Sequence, residues 1–160
     1  MPFVKIVASA ITIGTGGSAA SSPGGMLEKI RVHEEVREQT ITRIPEHMPF
    51  GDRVKTVTRS GASHFPVVDG EGRMTGIVSI NDIRAVLFEE TIDQLIVARD
   101  VATPNVVRVH WNDTLQQALD KMAAINVDEL PVAYEERPDE IVAMVSKRDI
   151  VDYYYGRSGA

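Results

Sequence analysis

No cysteine occurs anywhere in the 160 residues. That excludes a disulfide framework, a thiolate nucleophile and any cysteine-based zinc site. Basic residues are the minority charge, with 17 Lys and Arg against 23 Asp and Glu, a net charge of −6 and a pI near 5.2. A broad nucleic-acid surface needs the opposite sign, so nucleic acid is not an expected partner and any bound anion must be held by a local cluster. Long apolar runs are missing too. The most apolar stretch, Phe3 to Ile13, is interrupted by Lys5, Ser9 and Thr12, whereas a spanning helix needs roughly 20 apolar residues. Ser18-Ala19-Ala20 loosely resembles a signal-peptide cleavage site, but one basic residue and hydroxyls within the run argue against that reading. The four histidines, His33, His47, His64 and His110, show no ligand spacing, and no nucleophile motif stands beside them. No metal site and no catalytic residue are therefore expected. What is present, 43% hydrophobic and 25% charged residues, is the composition of a folded globular chain.

The main signal is an internal repeat. Displacing the sequence by 65 residues sets Ile30-Arg31-Val32 on Leu95-Ile96-Val97, Ile41-Thr42-Arg43-Ile44 on Val106-Val107-Arg108-Val109, and Phe65-Pro66-Val67 on Leu130-Pro131-Val132. A displacement of 67 then sets Gly76-Ile77-Val78-Ser79-Ile80-Asn81-Asp82-Ile83 on Ala143-Met144-Val145-Ser146-Lys147-Arg148-Asp149-Ile150. The two added residues fall between Val68 and Gly76, where a turn is expected and an insertion is tolerated.

Each copy predicts β-α-β-β-α. Short strands at 41–44 and 106–109 lead into helices. In the second copy Asp113 is the expected N-cap, with Gln116 three positions on as a capping box, and Leu115, Leu119, Met122 and Ala123 recur at helical spacing. In the first copy Phe50, Val54 and Val57 keep the apolar face while Gly51 and Gly61 weaken it. Strands at 65–68 and 75–79 flank a glycine-rich hairpin loop, 69–73. Strands at 130–134 and 141–145 flank the loop 135–139. Helices at 81–88 and 148–155 close the copies, and 91–97 reads as a helical connector. A unit of about 60 residues buries too little surface alone. The expectation is one α+β globule of two repeats packed through their sheets with pseudo-twofold symmetry, divided as leader 1–25, repeat 26–91 and repeat 92–160.

Leu-Pro-Val, a hairpin, then hydrophobic-Val-Ser-x-x-Asp-Ile, present twice over 26–156, resembles the CBS-domain pair, or Bateman module. The resemblance implies a cleft between tandem repeats that binds an adenosine nucleotide (AMP, ADP or ATP) as regulatory ligand, a homodimer, and a cytoplasmic location. It places the adenine near Thr40, Ile41, His64, Phe65, Asn105, Val106, Glu129 and Leu130.

The residues themselves supply a chemistry. Ser79 with Asp82, and Ser146 with Asp149, stand at strand-to-helix junctions nearly one turn apart, so both side chains face one opening. A carboxylate suits a ribose diol, and a hydroxyl with helix-end amides suits a phosphate. The same residues equally suit plain helix capping. Lys147 and Arg148 replace Ile80 and Asn81 of the first copy and make the second site the better phosphate binder. The alternative class is a ligand-free structural dimerisation module, for which Tyr153-Tyr154-Tyr155 could supply a surface or merely pack in the core.

The leader, residues 1–20 with Lys5-Ile6-Val7-Ala8-Ser9-Ala10-Ile11-Thr12-Ile13-Gly14-Thr15-Gly16-Gly17-Ser18-Ala19, resembles a segment of bacterial CLC chloride channels and transporters, some of which carry a cytosolic CBS pair. That resemblance implies a flexible relic of a membrane domain and, in an intact parent protein, a membrane channel domain as partner. The same glycines mimic a dinucleotide fingerprint, but no βαβ unit surrounds them, and Ser21-Ser22-Pro23-Gly24-Gly25 is expected to start no helix.

Overall fold

The computed structural model describes residues 23–88 and 95–158. In chain order the elements are α1 (Pro23–Leu27), α2 (Val32–Glu35), β1 (Ile44–Pro45), α3 (Asp52–Thr58), β2 (His64–Val68), β3 (Met74–Ser79), α4 (Ile80–Leu87), α5 (Ala98–Val101), β4 (Val109–His110), α6 (Leu115–Ala124), β5 (Glu129–Tyr134), β6 (Arg137–Ser146) and α7 (Lys147–Ser158). The repeat of β-α-β-β-α is therefore realised twice in an α+β chain. Each copy builds one three-stranded sheet, ordered β1-β2-β3 and β4-β5-β6. β1 runs parallel to β2, β2 antiparallel to β3, and β4 parallel to β5. No helix among the described residues is long and apolar enough to cross a membrane.

Two compact units divide the chain, and each is assembled from non-contiguous segments. The first holds Thr40–Val106 with Asp139–Ile141. The second holds Val107–Pro138, the chain from Val142 onward, and the segment ending at Gln39. The first core gathers Ile44, Phe50, Val54, Phe65, Val67, Val78, Ile83 and Val86 around Ala98 of α5. The second gathers Val109, Leu115, Ala118, Met122, Val132, Val145 and Ile150 around Leu27, Ile30, Val32 and Val36. The segment leading into each repeat thus belongs to the core of the other. Val97 bridges Pro49 in the first unit as Arg31 bridges Thr114 in the second, and the 65-residue offset relates Pro49 to Thr114.

Several expected boundaries move. The leading strands shift three residues, from 41–44 to Ile44–Pro45 and from 106–109 to Val109–His110, because only those residues reach a parallel partner in β2 or β5. The N-cap of α6 is Thr114, not Asp113, with Gln117 rather than Gln116 completing the capping box at 2.8 and 3.1 Å. Asp113 instead accepts the His110 amide at 2.8 Å and the Lys121 ammonium at 2.6 Å. The loop 135–139 contracts to a turn at Glu135-Glu136. β6 starts at Arg137, whose guanidinium lies 5.0 Å from the Tyr134 ring centre. Pro138 is tolerated there because β6 is an edge strand. Helix α1 opens at Pro23, correcting the expectation that no helix starts in 21–25. Proline suits the first helical position, where its missing N–H costs nothing, and Leu27 anchors the helix in the second core. Of the expected connector 91–97, residues 91–94 lie outside the described residues and Leu95 to Val97 are not helical. The leader 1–20, with its likenesses, lies outside the described residues too.

Candidate functional site

The last residue of β3 and of β6 is a serine, and the next helix starts immediately. The extended backbone at Ser79 (φ −89°, ψ 159°) lets its hydroxyl turn back onto the helix. Ser79 Oγ accepts the Asp82 amide at 3.1 Å and donates to Asp82 Oδ2 at 2.7 Å, and the Ser79 amide donates to the same oxygen at 3.0 Å. Ser146 and Asp149 repeat all three bonds at 3.0, 2.7 and 3.1 Å. The capping arrangement is therefore present in both copies. It leaves one resource in the second, since Asp149 Oδ1 has no hydrogen-bond partner among the described residues.

The first amide of each helix is also engaged. Ile80 N–H donates to the Ser63 carbonyl and Lys147 N–H to the Asp128 carbonyl, both at 2.8 Å. These carbonyls tie each helix start to the head of β2 or β5, a role that sequence reading did not assign to Ser63 or Asp128. Asp128 also takes the Lys147 ammonium at 3.3 Å, in a pair with both side chains well exposed. Such a pair contributes little energy, so the ammonium can exchange to another anion. Arg148 is exposed beside it.

Of the residues expected near an adenine, His64 lies directly across the strand pair from Ser79, and Phe65 across from Val78. The Phe65 and Leu130 side chains are buried in the two cores, which leaves their backbones as the groups on offer. Thr40, Ile41, Asn105 and Val106 belong to the first unit with Ser79 and Asp82, and Glu129 and Leu130 to the second with Ser146 through Asp149. Thr40 and Asn105 are exposed, and Ile41, Val106 and Glu129 half-buried. Asn105 adopts a left-handed backbone, φ 53°, which Asn tolerates better than most residues. One turn past Asp149, burial pushes the Tyr153 phenol above its usual value, and the carboxylates of Asp149 and Asp152 add to the shift. Tyr153 and Tyr154 pack against the second core while Tyr155 is 69% exposed. Among the described residues no cluster of three or more His, Asp or Glu could hold a metal ion.

The CBS-domain family model matches residues 35–89 and 98–156. Among curated proteins, the chain is 27% identical over 121 residues to an inosine-5'-monophosphate dehydrogenase of Methanocaldococcus jannaschii, a match covering 76% of this chain and 23% of that protein. An L-aspartate semialdehyde sulfurtransferase of the same organism is 23% identical, with 91% of this chain and 27% of that protein covered. The chain thus spans about a quarter of the length of these curated relatives. Among solved structures, CBSX2 in complex with AMP superposes with a TM-score of 0.68 at 18% identity, covering 81% of this chain and 98% of that one. The CBS domain pair of protein MJ0100, in complex with 5'-methylthioadenosine and S-adenosyl-L-methionine, superposes with a TM-score of 0.65 at 22% identity, covering 79% and 97%.

Proposed function

The chain belongs to the CBS-domain family, and from that premise we propose that it is a regulatory, non-catalytic module whose ligand is an adenosine nucleotide, AMP, ADP or ATP. The carrying observation is the repeated serine–aspartate junction, complete as a cap yet with Asp149 Oδ1 uncommitted among the described residues. That oxygen suits a ribose hydroxyl, and the exposed Arg148 suits a phosphate. Lys147 joins by leaving Asp128. Ser79 and Asp82 form the counterpart in the first repeat. The adenosine moieties in two structures of the same fold support this ligand class. Occupancy would be transmitted by differential affinity for two arrangements of the chain.

Thermal shift and calorimetry with AMP, ADP and ATP test the reading on the whole chain. The expected outcome is a rise in melting temperature with at least one nucleotide, and a loss of affinity in Asp149→Ala larger than in Asp82→Ala. No response to any nucleotide at millimolar concentration overturns it.

The second reading is a structural homodimerisation module, favoured by the exposed Val151 and Tyr155 on α7. Light scattering tests it, and a monomer at high concentration refutes it. The leader's likeness to CLC proteins supports a parent with a chloride-channel membrane domain as partner and the module on its cytosolic face. A native protein found free of membranes on fractionation would overturn that attachment.

A further inference from the structure

The two repeats cover the edge of their last strand differently. In the first unit, Ile77 of β3 exchanges two backbone hydrogen bonds with Thr103, at 3.0 and 2.9 Å. The 67-residue offset makes Met144 of β6 the counterpart of Ile77. Among the described residues Met144 exchanges no such backbone bonds. Its N–H donates to Gln39 Oε1 at 3.4 Å and its carbonyl accepts from Gln39 Nε2 at 3.5 Å. The Gln39 main chain is anchored next door, its N–H donating to the Val142 carbonyl at 2.9 Å. A glycine explains the contrast. A Cβ on Gly76 would stand 2.9 Å from the Ala102 Cβ and 3.1 Å from the Thr103 carbonyl oxygen, so the close backbone cover exists only because that Cβ is missing. Ala143, the counterpart, carries the Cβ. In the second unit the main chain of Gln39 meets the strand at Val142, and its side chain, not a backbone, meets Met144.

We propose that the Gln39 carboxamide is a displaceable stand-in for a nucleobase at the Met144 edge, so that Gln39 gates the second repeat where the first has a backbone bridge. A carboxamide offers a donor beside an acceptor, the pair that adenine offers with its amino group and adjacent ring nitrogen. A side chain on an exposed residue, held by two long bonds, is cheaper to remove than a backbone bridge at 2.9 to 3.0 Å. This inference rests on the adenosine-nucleotide reading and adds the group that the base must displace.

The test is calorimetry on the whole chain with AMP, and with ribose 5-phosphate as a ligand lacking the base, for wild type and Gln39→Ala. Alanine keeps the main-chain bond to Val142 and removes only the carboxamide. Gln39→Ala is expected to tighten AMP about threefold to tenfold, the scale of one ordinary hydrogen-bonded contact no longer competing, and to leave ribose 5-phosphate unchanged. Amide exchange at Met144 is expected to quicken in Gln39→Ala and to slow when AMP is added. If wild type binds AMP through Asp149 but Gln39→Ala binds it equally or more weakly, the gate is overturned and the nucleotide reading stands. If neither protein binds AMP, ADP or ATP, the nucleotide reading itself fails and the gate with it.

Discussion

Gly76 is one residue whose identity decides a local structure. The atoms that an added methyl would meet, Ala102 Cβ and the Thr103 carbonyl, are short or main-chain groups with no flexible end to swing away. Gly76→Ala is expected to cost about 1–3 kcal/mol, the usual scale of overpacking, read as a lower denaturation midpoint with an unchanged slope. Tyr153 gives a pH prediction. Burial first, then Asp149 and Asp152, hold its phenol protonated beyond its usual range. A group whose folded pKa is raised contributes stability that is fully present below the unfolded value, about 10 for tyrosine, and lost as pH rises through the folded value. The melting temperature should therefore fall from about pH 10 upward, and Tyr153→Phe should flatten that alkaline limb. An unchanged limb would overturn the assignment to Tyr153.

At the scale of elements, helix α6 shows how a cap and a tether divide neighbouring residues. Thr114 caps the helix, while Asp113 gathers the His110 amide and the Lys121 ammonium, and Lys121 also donates to the Arg108 carbonyl at 2.9 Å. Lys121 sits two turns into the helix, so this pair ties the helix to the chain between β4 and α6. Asp113→Ala is expected to cost about 1.5–3 kcal/mol, the range for bonds to charged groups. Gln116→Ala should stay within about 0.5 kcal/mol, because among the described residues its side chain bonds only the Asp120 side chain, on the surface. The opposite ranking in chemical denaturation would return the cap to Asp113. The caps of α4 and α7 were legible as serine and aspartate three apart. The α6 cap slipped by one because Asp-Thr-Leu-Gln-Gln satisfies the pattern in two registers. Only the tether to Lys121 distinguishes them.

For the whole molecule, the repeat seen in sequence and the unit seen in space are different pieces of chain. A fragment of residues 40–106 retains every member of its core from Ile44 to Ala98. A fragment of the contiguous repeat, residues 26–91, loses Ile96, Ala98 and Val101 and keeps Ile30, Val32 and Val36, which pack in the other core. Both have about the size at which burial is marginal. The fragment 40–106 is expected to give the better dispersed amide spectrum and the higher unfolding midpoint. If 26–91 is the more stable, the exchange of leading segments is not what completes the cores. A fragment from residue 107 onward, lacking Leu27, Ile30, Val32 and Val36, should expose apolar surface and bind a hydrophobic dye.

The sequence by itself determined what depends on neighbours along the chain: the duplication, the β-α-β-β-α order, the serine–aspartate junctions and the acidic net charge. Tertiary structure alone decided which core each leading segment joins, because two similar apolar surfaces were available and periodicity is silent on the choice. It also decided that Lys147 pairs with Asp128 and that Gln39 reaches a strand edge 105 residues away. The absence of cysteine narrowed the chemistry, and the Cβ that Ala143 has and Gly76 lacks differentiated two otherwise similar repeats. The difference between those residues was visible at once, but its consequence required knowing what approaches each of them.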